Sequence, residues 1–189
     1  MKSELFEQYQ NEIREKLQKD LGIKNPMEVP RIEKITINAG IGSYLNRLGS
    51  KDPSYVIDCI SEITGQKPLL NKSKMSISNF KLREGMPVGV SVTLRKENAY
   101  NFLYKLINLV YPRVRDFRGV LGNPFDKDGN CSVGFKDHTV FMEIDKPENS
   151  NKVFGLQVCI VTSTKNKDHS KKLLEEFGFP FKKPVKLTK

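Results

Sequence analysis

The stretch Val88-Gly89-Val90-Ser91-Val92-Thr93-Leu94-Arg95 is the clearest strand in the chain and points to its fold class. Its apolar residues occupy every second position, which in a strand places them on one face. The opposite face then carries only small, hydroxylic or cationic residues, namely Gly89, Ser91, Thr93 and Arg95. This alternation is typical of an antiparallel sheet with one face buried and the other open.

A second strand, predicted over residues 31–38, has the same polarity. Ile35, Ile37 and Ala39 alternate with a set of polar residues that shares the open face: Lys34, Thr36 and Asn38. Neither strand places an acidic residue on that face. Such a face can approach a nucleic-acid backbone closely and donate hydrogen bonds to phosphates and 2′-hydroxyls. The alternative is an ordinary solvated sheet face, which is polar by default. The absence of carboxylates favours RNA.

Helical patterns flank these strands. Apolar residues at three- and four-residue spacing predict helices over residues 5–21, 52–64 and 97–110, with a last short helix after residue 168. We expect Asp52 to cap the second helix and Gly65 to end it, Pro112 to stop the third, and Asp168 to cap the last. Further strands are predicted at 66–71, 131–135, 139–144 and 153–162.

These elements predict an α+β fold with a mainly antiparallel sheet, helices packed on one face and an open RNA-binding face. No linker or repeat interrupts the pattern, so we expect one domain over residues 1–181 and a basic C-terminal tail over 182–189.

The composition supports a polyanionic partner. The 189 residues include 32 Lys plus Arg against 22 Asp plus Glu, a formal charge of +10. Such a balance favours nucleic acid through counterion release. The three cysteines are far apart and form no C-x-x-C, which argues against disulfides and a zinc ribbon. No apolar run approaches the roughly 18 residues of a membrane span, and the N-terminus has no apolar signal region. We therefore expect an intracellular chain without a membrane partner.

Two cationic segments are further binding candidates. Residues 71–83 carry four cations and no acid, together with apolar residues that indicate packing or docking. The candidate contacts in this loop are Lys72, Ser73, Lys74, Ser76, Lys81 and Arg83. Residues 111–119 offer Arg113, Arg115 and Arg118 around Asp116, and Arg suits bidentate phosphate contacts. The alternatives are a solvated charge run in the first segment and pairing of Asp116 with a neighbouring arginine in the second.

No segment predicts catalysis, a metal or a cofactor. Ala39-Gly40-Ile41-Gly42 lacks the third glycine of a dinucleotide turn, so we interpret it as a tight strand exit. Residues 126–130 begin like a calcium loop, but Cys131 stands where the turn glycine belongs, so a hairpin turn is favoured. Neither His138 nor His169 has partners at ligand or triad spacing.

The segments together resemble the family of bacterial large-subunit ribosomal protein five, which binds 5S ribosomal RNA. The resemblance runs from about Leu5 to Phe181. The motifs that carry it follow in order: Asn25-Pro26-Met27-Glu28-Val29-Pro30, Lys34-Ile35-Thr36-Ile37-Asn38-Ala39-Gly40-Ile41-Gly42, Ile63-Thr64-Gly65-Gln66-Lys67-Pro68, Phe80-Lys81-Leu82-Arg83-Glu84-Gly85, Val92-Thr93-Leu94-Arg95, Pro112-Arg113-Val114-Arg115-Asp116-Phe117-Arg118-Gly119, Phe125-Asp126 and Gly129-Asn130.

The resemblance implies a structural, non-enzymatic ribosomal protein that helps to attach 5S rRNA in the central protuberance. It also implies contact with P-site tRNA through the loop Lys72–Arg83, and a bridge to a protein of the small-subunit head. Large-subunit rRNA and other central-protuberance proteins are further implied partners. The localisation is then ribosome-bound in the cytoplasm, with an organellar ribosome left open. The resemblance also implies that Asn38, Gln66 and Thr93, which match the family's 5S rRNA-binding motifs, contact 5S rRNA. The full predicted 5S set is Lys34, Thr36, Asn38, Gln66, Lys67, Ser91, Thr93 and Arg95.

The chain departs from the family pattern mostly in its last third. Met142 replaces the usual Pro of a Phe-Pro-Glu motif, Cys131 replaces a common aromatic, and residues 148–152 are unusually polar. These departures concern the predicted bridge more than the RNA face. Arg113, Arg115 and Arg118 are assigned either to this bridge or to rRNA. Two other function classes stay open from the residues alone. These are an enzyme acting on RNA, which would need an acid–base or metal constellation, and a basic protein–protein adaptor.

Overall fold

The computed structural model describes residues 4–48, 52–120, 124–144 and 153–182. The polar segment 148–152 and residues 183–189 of the predicted tail lie outside the described residues. Within the described part of the chain, no helix is both long and apolar enough to cross a membrane.

Five strands form one sheet in the order β2-β3-β1-β5-β4. Their bounds are Ile32–Gly40 (β1), Leu69–Lys72 (β2), Pro87–Arg95 (β3), Cys131–Phe135 (β4) and Leu156–Thr162 (β5). Strands β2 and β3 pair antiparallel, with Leu69 opposite Ser91 and Asn71 opposite Gly89. Strand β1 is antiparallel to its neighbours β3 and β5, because hydrogen bonds join the end of one strand to the start of the other. Ile41 N–H donates to the carbonyl of Val88, and Ser163 N–H donates to that of Arg31.

The first helical run is α1 (Glu4–Gln8), a π turn (Tyr9–Ile13) and α2 (Arg14–Leu21). The short α3 (Gly42–Leu48) follows β1, and α4 (Ser54–Thr64) precedes β2. The long run after β3 comprises α5 (Glu97–Lys105), a π turn (Leu106–Val110) and α6 (Tyr111–Arg113), and α7 (Lys167–Glu176) follows β5. Short 3-10 turns lie at Pro26–Glu28, Ser78–Phe80, His138–Val140 and Met142–Ile144.

Burial follows the predicted alternation. On β1, Ile35, Ile37 and Ala39 are buried while the residues between them are half-buried or exposed. Strand β3 buries Val90, Val92 and Leu94 and, on the other face, Gly89, and β5 buries every second residue from Leu156 to Thr162. The α+β fold with an antiparallel sheet is confirmed.

The predicted strand over 139–144 is wrong. Phe141 N–H donates to the carbonyl of His138, and Ile144 N–H donates to that of Phe141. This three-residue spacing buries Phe141 and Ile144 together, whereas in a strand an odd spacing would send them to opposite faces.

The helix termini differ from prediction by one or two residues. Pro112 does not stop its helix, which continues to Arg113. The preceding π turn shifts the register so that Tyr111 N–H donates to the carbonyl of Leu106. Pro112 comes next and has no backbone N–H that would need an acceptor in the helix. Asn166, not Asp168, caps α7, because its side chain accepts from the Asp168 N–H. Pro53 is the N-cap of α4, and the predicted cap Asp52 accepts the Ser54 N–H at 3.0 Å.

The chain forms two compact units. Unit 1 comprises Met1–Ile35, Arg95–Val133 and Cys159–Lys189, and its core includes three mutually contacting rings, Tyr9, Tyr100 and Phe177. Unit 2 comprises Thr36–Leu94 and Gly134–Val158, and its core includes Val56, Ile60 and Phe141. One domain over residues 1–181 stays a prediction.

Candidate nucleic-acid interface

A cluster of amides and hydroxyls lies on the open face of the sheet within unit 2. The side chain of Asn71 donates to the hydroxyl of Ser91 at 3.1 Å. Gly89 separates Asn71 from Asn38, because a Cβ added at Gly89 would lie 3.8 Å from Asn38 Oδ1 and 3.9 Å from Asn71 Nδ2. The missing side chain leaves a narrow space between two amide groups, with Gly89 itself buried at its base and Asn38 exposed at the strand surface.

The predicted residues Thr36, Asn38, Ser91 and Thr93 all lie on this face of unit 2, at alternate positions of β1 and β3. Lys34 is half-buried and Arg95 exposed at the corresponding positions of these strands in unit 1. Glu33 is the one carboxylate among the described strand residues, and it is exposed next to the buried Ile32. Within unit 2, the described residues of β1, β2 and β3 include no carboxylate, so the face there can donate to an anionic backbone without repelling it.

Gln66 and Lys67 are exposed in the turn that follows α4. The turn begins at Gly65, whose φ of 67° favours glycine. The hydroxyl of Thr64 donates to the carbonyl of Gln66 at 3.0 Å and so fixes the backbone of the turn. Both side chains project from an ordered turn, which lowers the conformational entropy that a ligand would have to freeze.

Sequence reasoning missed two residues of the open face, Leu69 and Asn71. Leu69 is directly opposite Ser91 and is 68% exposed. The short β2, with only four residues, offers too little alternation to assign its faces from sequence alone.

The loop Lys72–Arg83 is exposed, as predicted, and is also ordered by its own hydrogen bonds. Ile77 and Leu82 exchange both backbone hydrogen bonds, at 3.0 and 3.1 Å. The Ser76 hydroxyl accepts the Glu84 N–H at 3.0 Å. These bonds close a small hairpin whose tip is the 3-10 turn Ser78–Phe80. Met75 and Phe80 are 69% and 68% exposed, so these two side chains do not pack within the chain, and their docking on a partner stays a prediction.

Arg113, Arg115 and Arg118 are exposed around the end of α6 in unit 1. Among the described residues, no ion pair joins Asp116 to Arg115 or Arg118. Asp116 has a φ of 54°, and the stacked rings of Tyr111 and Phe117 enclose this turn at a centroid distance of 4.8 Å. Packing of these two rings therefore holds the backbone of the turn at Asp116.

The remaining polar motifs have structural roles. The Asp126 carboxylate accepts the side-chain N–H of Asn130 and the backbone N–H groups of Asn130 and Asp128, and these bonds hold its pKa below the usual range. This is the hairpin turn expected in place of a calcium loop. His138 is fully buried, stacks on Phe154 and lies 3.1 Å from the Tyr55 hydroxyl, and burial lowers its pKa. In the part of the chain that the structure describes, no cluster of His, Cys, Asp and Glu is arranged to hold a metal.

Two family models match the chain, one after the other. The model described as ribosomal protein L5 matches residues 25–83, and the model described as ribosomal L5P family C-terminus matches residues 87–181. The chain belongs to the ribosomal protein L5 family. It is therefore a structural ribosomal protein, and the prediction that it is not an enzyme is confirmed by this membership.

Whole-length relatives agree. The large ribosomal subunit protein uL5 of Thermosipho africanus is 52% identical over 183 residues, which cover 95% of this chain and 97% of the relative. The protein of the same name from Desulforapulum autotrophicum is 48% identical, over 94% of this chain and 98% of its own length. That of Lactobacillus johnsonii is 45% identical, over 97% of this chain and all of its own length.

Proposed function

We propose that the chain is a constituent of the large ribosomal subunit that binds 5S rRNA through the open face of its sheet. The observation that carries the proposal is the cluster of Asn38, Asn71 and Ser91 around Gly89. Amides and hydroxyls in this arrangement offer donors and acceptors to 2′-hydroxyls and phosphates, and glycine allows the RNA backbone to approach closely. The proposed 5S contacts on this face and on the turn after α4 are Lys34, Thr36, Asn38, Gln66, Lys67, Ser91, Thr93 and Arg95.

The loop Lys72–Arg83 is proposed to contact P-site tRNA. Its cations Lys72, Lys74, Lys81 and Arg83 are exposed, and the hairpin hydrogen bonds hold them on one ordered projection. An ordered cationic projection binds phosphates at a smaller entropic cost than a flexible one does. The arginines around Asp116 are proposed to contact large-subunit rRNA or the small-subunit head protein across an intersubunit bridge, with other central-protuberance proteins as neighbours.

The test is the affinity of the full chain for 5S rRNA over a range of salt concentrations, compared with an unrelated rRNA fragment of equal length. We expect tighter binding to 5S rRNA at every salt concentration and a steep fall as salt rises, because phosphate contacts release counterions. Equal affinity for both RNAs would show that the chain binds RNA non-specifically and would contradict the proposal.

A matched pair of charge variants locates the surface. Replacing three proposed site cations, Lys34, Lys67 and Arg95, by Gln should reduce the salt slope by roughly 0.9 for each duplex phosphate that the variant no longer neutralises. Replacing three exposed lysines of unit 1 outside the face, Lys19, Lys165 and Lys172, makes the same change in net charge. If the two triple variants weaken binding equally, the open face is not the RNA surface.

A further inference from the structure

A groove of about 980 Å³ lies in unit 1, beside the start of β1 and the junction of β3 with α5. Tyr9 and Tyr100 line it, and both rings are buried, with centroids 5.8 Å apart. The Tyr9 hydroxyl donates to the carbonyl of Pro30 at 2.8 Å. The floor is therefore fixed by internal contacts, and the groove is preformed.

Four cations line the groove: Arg14, Arg31, Arg95 and Lys96. Arg14 is half-buried and donates to the carbonyl of Pro26 at 3.0 Å, while the other three are exposed. Within the described residues, none of the four makes an ion pair. The lining has four cations against two carboxylates, and this excess of positive charge favours an anionic ligand there.

The groove also has acceptors and apolar surface. Glu33 and Glu97 are exposed in its lining. Met27 is 80% exposed in the turn Pro26–Glu28, and Phe6 is half-buried. A phosphate backbone alone would use the cations but neither the carboxylate acceptors nor the apolar surface. The lining therefore suits a ligand that combines an anion, a flat apolar surface and N–H donors.

We propose that this groove binds an unpaired RNA nucleotide that carries an exocyclic amino group. The inference rests on the RNA-binding function proposed above and adds a nucleotide preference to it. The phosphate contacts the cations, the base packs against Met27 and Phe6, and its amino group donates to Glu33 or Glu97. Cytosine offers an N4 amino donor to a carboxylate, whereas uracil presents a carbonyl oxygen at the same position and is repelled.

The backbone conformation of Lys96 provides a variant that should not destabilise the junction between β3 and α5. Lys96 has φ 52° and ψ −135°, a conformation that glycine adopts far more readily than lysine. Lys96→Gly therefore removes a groove cation while relieving backbone strain. Lys19→Gln is the charge-matched control, since Lys19 is an exposed lysine of unit 1 that does not line the groove.

The experiment measures binding of hexacytidylate and hexauridylate to the full chain over a range of salt concentrations. We expect hexacytidylate to bind at least about fivefold more tightly, the lower end of what one base-edge contact discriminates. Lys96→Gly should keep its melting temperature and reduce the salt slope by roughly 0.7, the value for one single-strand phosphate contact. Lys19→Gln should keep the cytosine preference. The double change Glu33→Gln and Glu97→Gln should abolish that preference.

Equal affinity for the two hexamers, or a Lys96→Gly variant that binds them like the parent, would overturn the inference. A photo-crosslinking amino acid at position 27, in assembled ribosomes, provides an independent result. We expect a crosslink to RNA. A crosslink to protein alone would assign the groove to a protein partner and also overturn the inference. If 5S rRNA binds normally while the hexamers show no preference, only this inference fails. If 5S rRNA does not bind in preference to other RNA, the proposed function fails.

Discussion

Gly89→Ala is the most direct test of close approach by RNA to the open face. A Cβ at position 89 would lie 3.4 Å from the carbonyl oxygen of Ala39, an ordinary van der Waals contact, and the φ of Gly89 is not in the left-handed region. Glycine in the middle of a strand costs about 0.5–1 kcal/mol relative to alanine. We therefore expect the variant to fold and to be as stable as the parent or slightly more stable.

Binding should respond in the opposite direction. The new methyl group would lie 3.8 Å from Asn38 Oδ1 and 3.9 Å from Asn71 Nδ2, so it occupies the space between the two amides. An RNA group that bonds there would be displaced, and a polar group left without a partner costs about 1–3 kcal/mol. This corresponds to a reduction in affinity for 5S rRNA of roughly fivefold to 150-fold.

The measurements are thermal melting of the free chain and its dissociation constant for 5S rRNA. Gly134→Ala is the control, because Gly134 also lies in a strand, has no atom within 4 Å of an added Cβ, and is on β4, where no contact is predicted. If Gly89→Ala is stable and binds 5S rRNA as tightly as the parent, the RNA backbone does not approach the gap and the reasoning fails.

Three further sets of variants test the other parts of the proposal. The first set changes one predicted 5S contact at a time to Ala: Asn38, Gln66 or Thr93. Each change should weaken 5S rRNA binding by about 1–3 kcal/mol with little change in melting temperature, since the side chains face outward; a variant that unfolds would refute the placement of its residue. The second set changes three loop lysines together to Gln: Lys72, Lys74 and Lys81. It should leave 5S rRNA binding largely intact and speed tRNA dissociation from programmed ribosomes equally across tRNA species; collapse of 5S binding with unchanged tRNA release would contradict this. The third concerns His138. Because burial lowers its pKa below 6.5, the unfolded chain binds this proton more readily, so stability should fall as pH drops below 6.5 towards the native pKa. His138→Gln should reduce the change in melting temperature between about pH 7.5 and about pH 5.5. If the melting temperature of the variant depends on pH as strongly as that of the parent, His138 does not cause the pH dependence.

Elements with a strong local period could be predicted from the sequence. The strand after Pro87 alternates over its whole length, and the helix from Glu97 has an unbroken apolar stripe, so each burial pattern is contained in the element itself. Burial follows that alternation from Ile35 to Ala39 and from Val90 to Leu94, whereas the open RNA-binding face stays a prediction.

The short α3 was missed although a signal was present. Ile41, Tyr44 and Leu45 are buried at helical spacing, and Leu45 N–H donates to the carbonyl of Ile41 at 2.8 Å. The glycines on either side of Ile41 suggested a tight strand exit instead. The helix forms because burial of three apolar side chains outweighs the poor helix propensity of glycine near its start.

The pairing of side chains across strands depends on register, which local sequence does not specify. Strand β2 pairs Leu69 with Ser91, but the register shifts between Asn71 and Lys72, so that Lys72 lies opposite Pro87. A shift of one residue in β2 would exchange its two faces and move Asn71 away from Ser91. Sequence alone could therefore show that β1 and β3 present an open polar face without showing that Asn71 completes it. The proposed RNA contact uses the side-chain amides of Asn38 on β1 and Asn71 on β2. Its geometry therefore depends on this register as much as on the residues themselves.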